Sequence, residues 1–166
     1  AAGGGQLGQL MGMLMPKLND PSVLISEGAA KGVASSIKGS IAAGRATIDK
    51  ELQALLTTSL GLVKAAKTAE EARSGALGVG AVLGGAGVAQ LAPLGVMAEL
   101  KKIIDAKAPK DAPHCKEAAV LAFEQLSLFL GTDFEPYGIP LLQTLVGLYA
   151  DKDKKVADAA AKGVQA

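Results

Sequence analysis

Apolar residues recur at i, i+3, i+4 and i+7 along nearly the whole chain, the spacing that lines one face of a helix. Leu7, Leu10, Met11, Leu14 and Leu18 form the first stripe. It ends at Asn19-Asp20-Pro21, where proline stops one helix and can open the next. A second helix is predicted from Ser22 to Ile37, with Ala30, Val33, Ala34 and Ile37 on one face. The third carries Leu52, Leu55, Leu56 and Val63, and the fourth, from about Ala69, carries Ala72, Ala76, Val79 and Leu83. A fifth starts near Pro93 with Met97, Leu100 and Ile104 inward; a sixth follows Pro113 with Ala119, Ala122, Phe123 and Leu126. The seventh runs from Glu135 through Leu141, Leu142, Leu145 and Leu148. The eighth follows Asp151-Lys152-Asp153 and shows Val156, Ala159, Ala160 and Val164. No segment alternates with the period of a strand. The pattern predicts an all-α chain.

The eight helices pair into four hairpins, approximately 6–37, 50–84, 91–130 and 135–165. Their first helices recur about every 41 to 44 residues, the period of helical-hairpin solenoids of the HEAT and armadillo kind. The expected architecture is one HEAT/armadillo-like α-solenoid segment spanning residues 1–166. Bulky aliphatics on first helices and Ala or Gly on second helices would bury a continuous core between stacked hairpins. Lys38 to Asp49 is longer than a tight turn needs, so a loop or an extra helical turn is expected there.

Composition agrees with this division. Of 166 residues, 49% are apolar but only 3% aromatic, and 21 are glycine, so the apolar half is small or aliphatic. A net charge of +1 gives no strong pull toward nucleic acid and, with so much apolar residue, excludes a disordered polyelectrolyte. One cysteine excludes an internal disulfide framework and suits a reducing compartment. The chain begins at Ala1, which suggests a processed product or a piece of something longer. Leu7–Leu18 and Val156–Val164 look like internal repeats, so apolar surface is expected at one or both ends, covered by further repeats or a partner.

Two readings of the glycine-rich middle compete with tight helix packing. Ser74 to Ala98 carries no charge and contains Gly80-x-x-x-Gly84, a spacing used by membrane helices, yet its further glycines, Gln90 and Pro93 argue against a span. Gly84 to Gly87 reads instead as a turn between two short helices. Gly78-x-Gly80-x-x-x-Gly84 is also close to a dinucleotide-binding fingerprint, but that chemistry needs a strand before the glycines. A charged helical pattern precedes them here. No cofactor is expected.

The last hairpin is the most specific. Pro140-Leu-Leu-Gln-Thr-Leu, then Asp151-x-Asp153-Lys-Lys155-Val156-x-x-Ala-Ala, resembles the HEAT consensus, with a mid-helix proline and an Asp in the turn. The consensus basic residue after that Val is replaced by Ala157; Arg73 holds the corresponding place in the second hairpin. Lys116-Glu-Ala-Ala-Val-Leu-Ala-Phe-Glu-Gln-Leu126, running into Phe134-Glu-Pro-Tyr-Gly-Ile-Pro-Leu-Leu142, is similar to the HEAT region of fungal-type translation elongation factor three. The same region resembles the general-control ribosome-binding protein that activates the starvation kinase, as does Glu27–Gly39. The resemblance implies a curved, non-catalytic scaffold that contacts the ribosome in the cytoplasm. This chain has no Gly-x-x-x-x-Gly-Lys-[Ser/Thr] loop, so nucleotide hydrolysis is not implied. The alternative is a structural subunit of another large assembly, organellar if a transit peptide has been removed.

Residues with chemistry are few. His114 and Cys115 are the sole His and Cys, too few for a structural zinc site, and sequence neighbours rarely point at one another. A helix-entry histidine and a small buried cysteine are expected. Glu70-Glu71 and Asp151/Asp153 sit at helix starts, where carboxylates cap. No catalytic or metal site is predicted. The lysines give the one functional signal. Lys101, Lys102, Lys107 and Lys110 cluster around the third hairpin's turn, and Lys152, Lys154 and Lys155 around the fourth's. Equivalent turns line up in a solenoid, so these form a candidate partner-binding edge suited to phosphates of ribosomal RNA or to acidic protein.

Overall fold

The computed structural model describes residues 3–44 and 48–165. Eight α-helices occupy them: α1 (Gly3–Leu14), α2 (Val23–Ala42), α3 (Ile48–Ala65), α4 (Ala69–Ala86), α5 (Val96–Asp105), α6 (Cys115–Leu130), α7 (Glu135–Leu148) and α8 (Lys154–Gln165). Short 3-10 turns at Met15–Asn19, Val88–Gln90 and Gly131–Phe134 link some of them. No strand occurs among the described residues. The helix boundaries follow local chemistry. Thr68 accepts from the Glu71 amide at 3.2 Å while Glu71 accepts from the Lys67 amide at 2.7 Å, a capping-box arrangement that opens α4. Gly87 (φ 89°) closes it.

Each odd-numbered helix packs on the even-numbered helix that follows it. The even-numbered helices also pack in succession, α2 on α4, α4 on α6 and α6 on α8. The result is a row of inner helices with an outer layer, the two-layer plan of a HEAT solenoid. First helices contribute Leu52, Leu56, Leu100, Ile104 and Leu145 to the core; second helices contribute Ala30, Ala72, Ala76, Ala118, Ala122 and Ala160, with Ile37, Leu83 and Leu126 between them. Each fully buried leucine contributes about 1.5–3 kcal/mol by leaving water. Buried hydroxyls are satisfied within their own helices: Ser40 donates to Ser36 O and Ser59 to Leu55 O.

Several boundaries differ from those expected of the sequence. α2 continues through Ala42, so the long segment after Ile37 opens with more than a turn of additional helix; residues 45–47 lie outside the described residues. α4 runs to Ala86, leaving Gly87 alone as the turn instead of all of Gly84–Gly87. α5 starts at Val96, after Gly95 (φ 63°), because Pro93 stands in a preceding turn. Leu10 and Leu142 are exposed, since the stripes to which they belong are wider than the helix that covers them. Both terminal hairpins carry exposed aliphatics, including Leu24 (82% exposed) and Ile139 (65%), the apolar surface expected there.

The glycines of α4 explain its position. A Cβ at Gly75 would lie 2.9 Å from Val63 N, and one at Gly78 2.5 Å from Ser59 Oγ, both on α3. At Gly80 and Gly84 it would meet Gln125 Cβ (2.6 Å) and Phe129 Cβ (2.7 Å) on α6; at Gly85, the Ala34 carbonyl oxygen (2.5 Å) on α2. Three neighbours therefore close on α4 from three sides, and every position from Ser74 to Leu83 is buried. The fingerprint glycines stand inside a helix, in contact with other helices. No described helix is long and apolar enough to cross a membrane.

Candidate functional site

The turns between paired helices meet along one edge, joined by polar links between hairpins. Arg73, in the first turns of α4, donates from Nη2 to the Asp20 carbonyl oxygen at 2.9 Å, tying the second hairpin to the first. Its Nε is buried without a hydrogen-bond partner. The His114 amide donates to Ala66 O at 3.1 Å, tying the third hairpin to the second. His114, 9% exposed, then bridges to the fourth through its ring. Its Nδ1 lies 2.6 Å from Glu117 Oε2 and its Nε2 lies 3.1 Å from Lys155 Nζ. Because an ammonium only donates, Nε2 accepts there, which leaves Nδ1–H to donate to Glu117. Lys155 thus links hairpins three and four, where Ala157 stands at the consensus basic position.

The candidate lysines fall into two groups. Lys101 pairs with Asp105 at 3.0 Å on the same helix, and Lys102 with Glu99 at 2.9 Å. Glu99 also holds Lys64 of α3 at 2.8 Å. Hydrogen bonds from Lys64 and then Lys102 hold its carboxyl down to about 2. Lys101 and Lys102 therefore sit within α5, engaged with acids, and not in the turn itself. Lys107, Lys110, Lys152 and Lys154 are exposed and form no ion pair among the described residues. Asp151 and Asp153, which interrupt the series, accept from the amides of Asp153 (2.9 Å) and Lys155 (3.0 Å) and so shape the turn.

Cys115 follows His114 but is buried in the core, and desolvation pushes its thiol up. The imidazole is directed to Glu117 and Lys155, so it does not activate the thiol. Sequence reasoning took His114 as a simple helix-entry residue and missed its bridging role. The signal that could have found it was the His-x-x-Glu spacing at a helix start, which puts both side chains on one face. Nothing local points to Lys155, 41 positions later.

Against known proteins, residues 72–166 match the family described as EF3 N-terminal HEAT repeat. The chain belongs to that family. The match starts in α4 and takes in every later helix, including Arg73, the bridge from His114 to Lys155 and the lysine-bearing turns. Comparison with curated proteins and with solved structures gives no match. Membership of the EF3 N-terminal HEAT-repeat family agrees with the repeat period, the two-layer helix row and the resemblance carried by Lys116–Leu126 and Phe134–Leu142.

Proposed function

We propose that this HEAT-repeat chain is a non-catalytic scaffold that binds the ribosome through its turn edge. The observation that carries the reading is the EF3-type family match over residues 72–166. It is supported by four exposed lysines on that edge, Lys107, Lys110, Lys152 and Lys154, which form no ion pair among the described residues. Ammonium groups of this kind engage phosphate as point charges and release counterions, so binding should weaken as salt rises. The chain should co-sediment with ribosomes at low salt. Charge reversal at Lys152 and Lys154 should lower the bound fraction and flatten the salt dependence, by a slope of about 1 for each phosphate no longer engaged. Co-sedimentation indifferent to salt and to these substitutions would exclude the edge as the binding surface.

A second reading is favoured by the aliphatics on the terminal hairpins, Leu24 and Ile139 among them. A structural subunit of a large assembly would cover such surface. It should then co-purify with that assembly in fixed stoichiometry at high salt, the opposite of the behaviour expected from a lysine edge.

A further inference from the structure

The last hairpin is held to the row by few ties. Its helix α8 packs on α6 and α7 and buries Val156, Ala159 and Ala160, all small side chains. A cavity of about 200 Å³ remains between the three helices, lined by Phe123, Phe134, Leu145 and Val164 among others. Among the described residues, the bond from Lys155 Nζ to His114 Nε2 is the one side-chain hydrogen bond or ion pair that joins hairpin four to hairpin three. Apolar contact at this junction is thin, so that bond carries an unusual share of the attachment.

We propose that the Glu117–His114–Lys155 bridge is a pH-sensitive latch, in which protonation of the ring releases Lys155 and loosens hairpin four from the row. The proton and the lysine compete for one lone pair. An ammonium only donates, so Lys155 binds His114 while Nε2 is bare. A protonated ring carries N–H on both nitrogens, and Nε2–H would then face the ammonium donor to donor, cation to cation. The Glu117 contact survives, because Nδ1–H donates to that carboxylate in either state. Protonation therefore breaks the link between hairpins and leaves the link within α6 intact. Imidazole is the side chain that ordinarily changes charge between about pH 5 and about pH 8, which places the latch within a range that cells use. It does not require that the turn edge bind the ribosome.

The other charges near the ring act at longer range. On α8, Asp158 and Lys162 line the same cleft as Glu117 and Lys155, and on α4 Arg73 keeps its full charge there. Glu70 of α4 is held below the usual carboxylate range by its own amide and then by Thr68, with Arg73 and the ring as weaker influences. Beside the Ala66 carbonyl oxygen that accepts the His114 amide, Lys67 is exposed, as is Asp111 in the loop before α6. The charges of α5 pair among themselves or with Lys64. The single charge of α7, Glu135, follows the C-terminal end of α6, and Asp153 accepts the Lys155 amide, not its ammonium. Acids and bases thus stand opposed around the ring, and its two contacts decide what protonation does.

The test is amide hydrogen exchange on the whole chain at about pH 8 and about pH 5, with each rate divided by its intrinsic value so that only structural protection is compared. Protection of α8 amides should fall about tenfold on acidification while that of α4 amides holds. Lys155→Met should show the low α8 protection at both pH values, with no step between them. His114→Gln should lose the step and keep α8 protected, because its amide oxygen still accepts from Lys155 and does not titrate. Circular dichroism verifies that both variants remain helical. Ring ¹⁵N shifts of the unaltered chain give a readout that needs no variant: at the higher pH Nδ1 should carry the proton and Nε2 should be bare. The opposite tautomer, α8 protection indifferent to pH, a fall shared equally by every helix, or a step of full size in His114→Gln would each overturn the proposal.

Discussion

Lys155 Nζ, at the start of α8, stands 3.1 Å from His114 Nε2 at the start of α6. This link joins the last hairpin to the rest of the row at its turn edge, and the imidazole is in turn held by Glu117 at 2.6 Å. Lys155→Met should loosen that hairpin selectively. A hydrogen bond to a charged group contributes about 1.5–3 kcal/mol, so exchange of α8 amides should accelerate roughly tenfold or more while α4 amides are unchanged. Hydrogen exchange resolved by helix checks this; uniform acceleration across the chain would refute it.

The glycines of α4 should separate into those that need to be glycine and those elsewhere that do not. Gly85→Ala places a methyl 2.5 Å from a backbone oxygen that has no freedom to move aside. Stability in urea should fall by about 1–3 kcal/mol. Gly61→Ala, in α3 with nothing within 4 Å of the added Cβ, should raise stability by up to about 1 kcal/mol through helix propensity.

Glu99 should titrate far below an ordinary carboxylate, with a midpoint of about 2 against 4.5, because Lys64 and Lys102 both hydrogen-bond to it. Its carboxyl is depressed in the folded chain, so the contribution to stability is present above 4.5 and disappears as pH falls toward 2. Side-chain carbonyl NMR of wild type and Lys64→Met measures it. The variant's midpoint should move up toward 4.5, and by more than that of a distant lysine substitution.

Arg73→Met keeps the aliphatic stem but removes the donor to Asp20 O. The expected destabilisation is about 1–3 kcal/mol, read from chemical denaturation. Exchange should quicken at the turn around Asp20, and Arg73→Lys should restore little, because the shorter point charge does not reproduce the guanidinium geometry.

Cys115 should react slowly with a thiol reagent in the folded chain, since it is buried and its thiolate is disfavoured. Urea should accelerate the reaction many-fold at the same pH. Equal rates with and without urea would show that the thiol is accessible in the folded state.

Local spacing made much of the fold legible. Helical periodicity, the Asp20-Pro21 stop, Gly87 and the repeat of bulky first helices with Ala-rich second helices are properties of neighbours in sequence, and they announced eight helices in four hairpins. The lysine turns were also visible as composition. Their state was not: Lys101 and Lys102 are paired with Asp105 and Glu99, and Lys155 is engaged by His114.

By itself, then, the sequence determined helix content, repeat period and family, because each depends on residues within a few turns or on a repeated text. Tertiary structure alone decided which glycines of α4 face α2, α3 or α6, which stripe positions such as Leu10 and Leu142 remain uncovered, and that His114 bridges two hairpins. Those outcomes depend on the angle and depth at which one helix meets another. That depth is set by close approaches between residues far apart in the chain, where a single Cβ determines whether two backbones can come together.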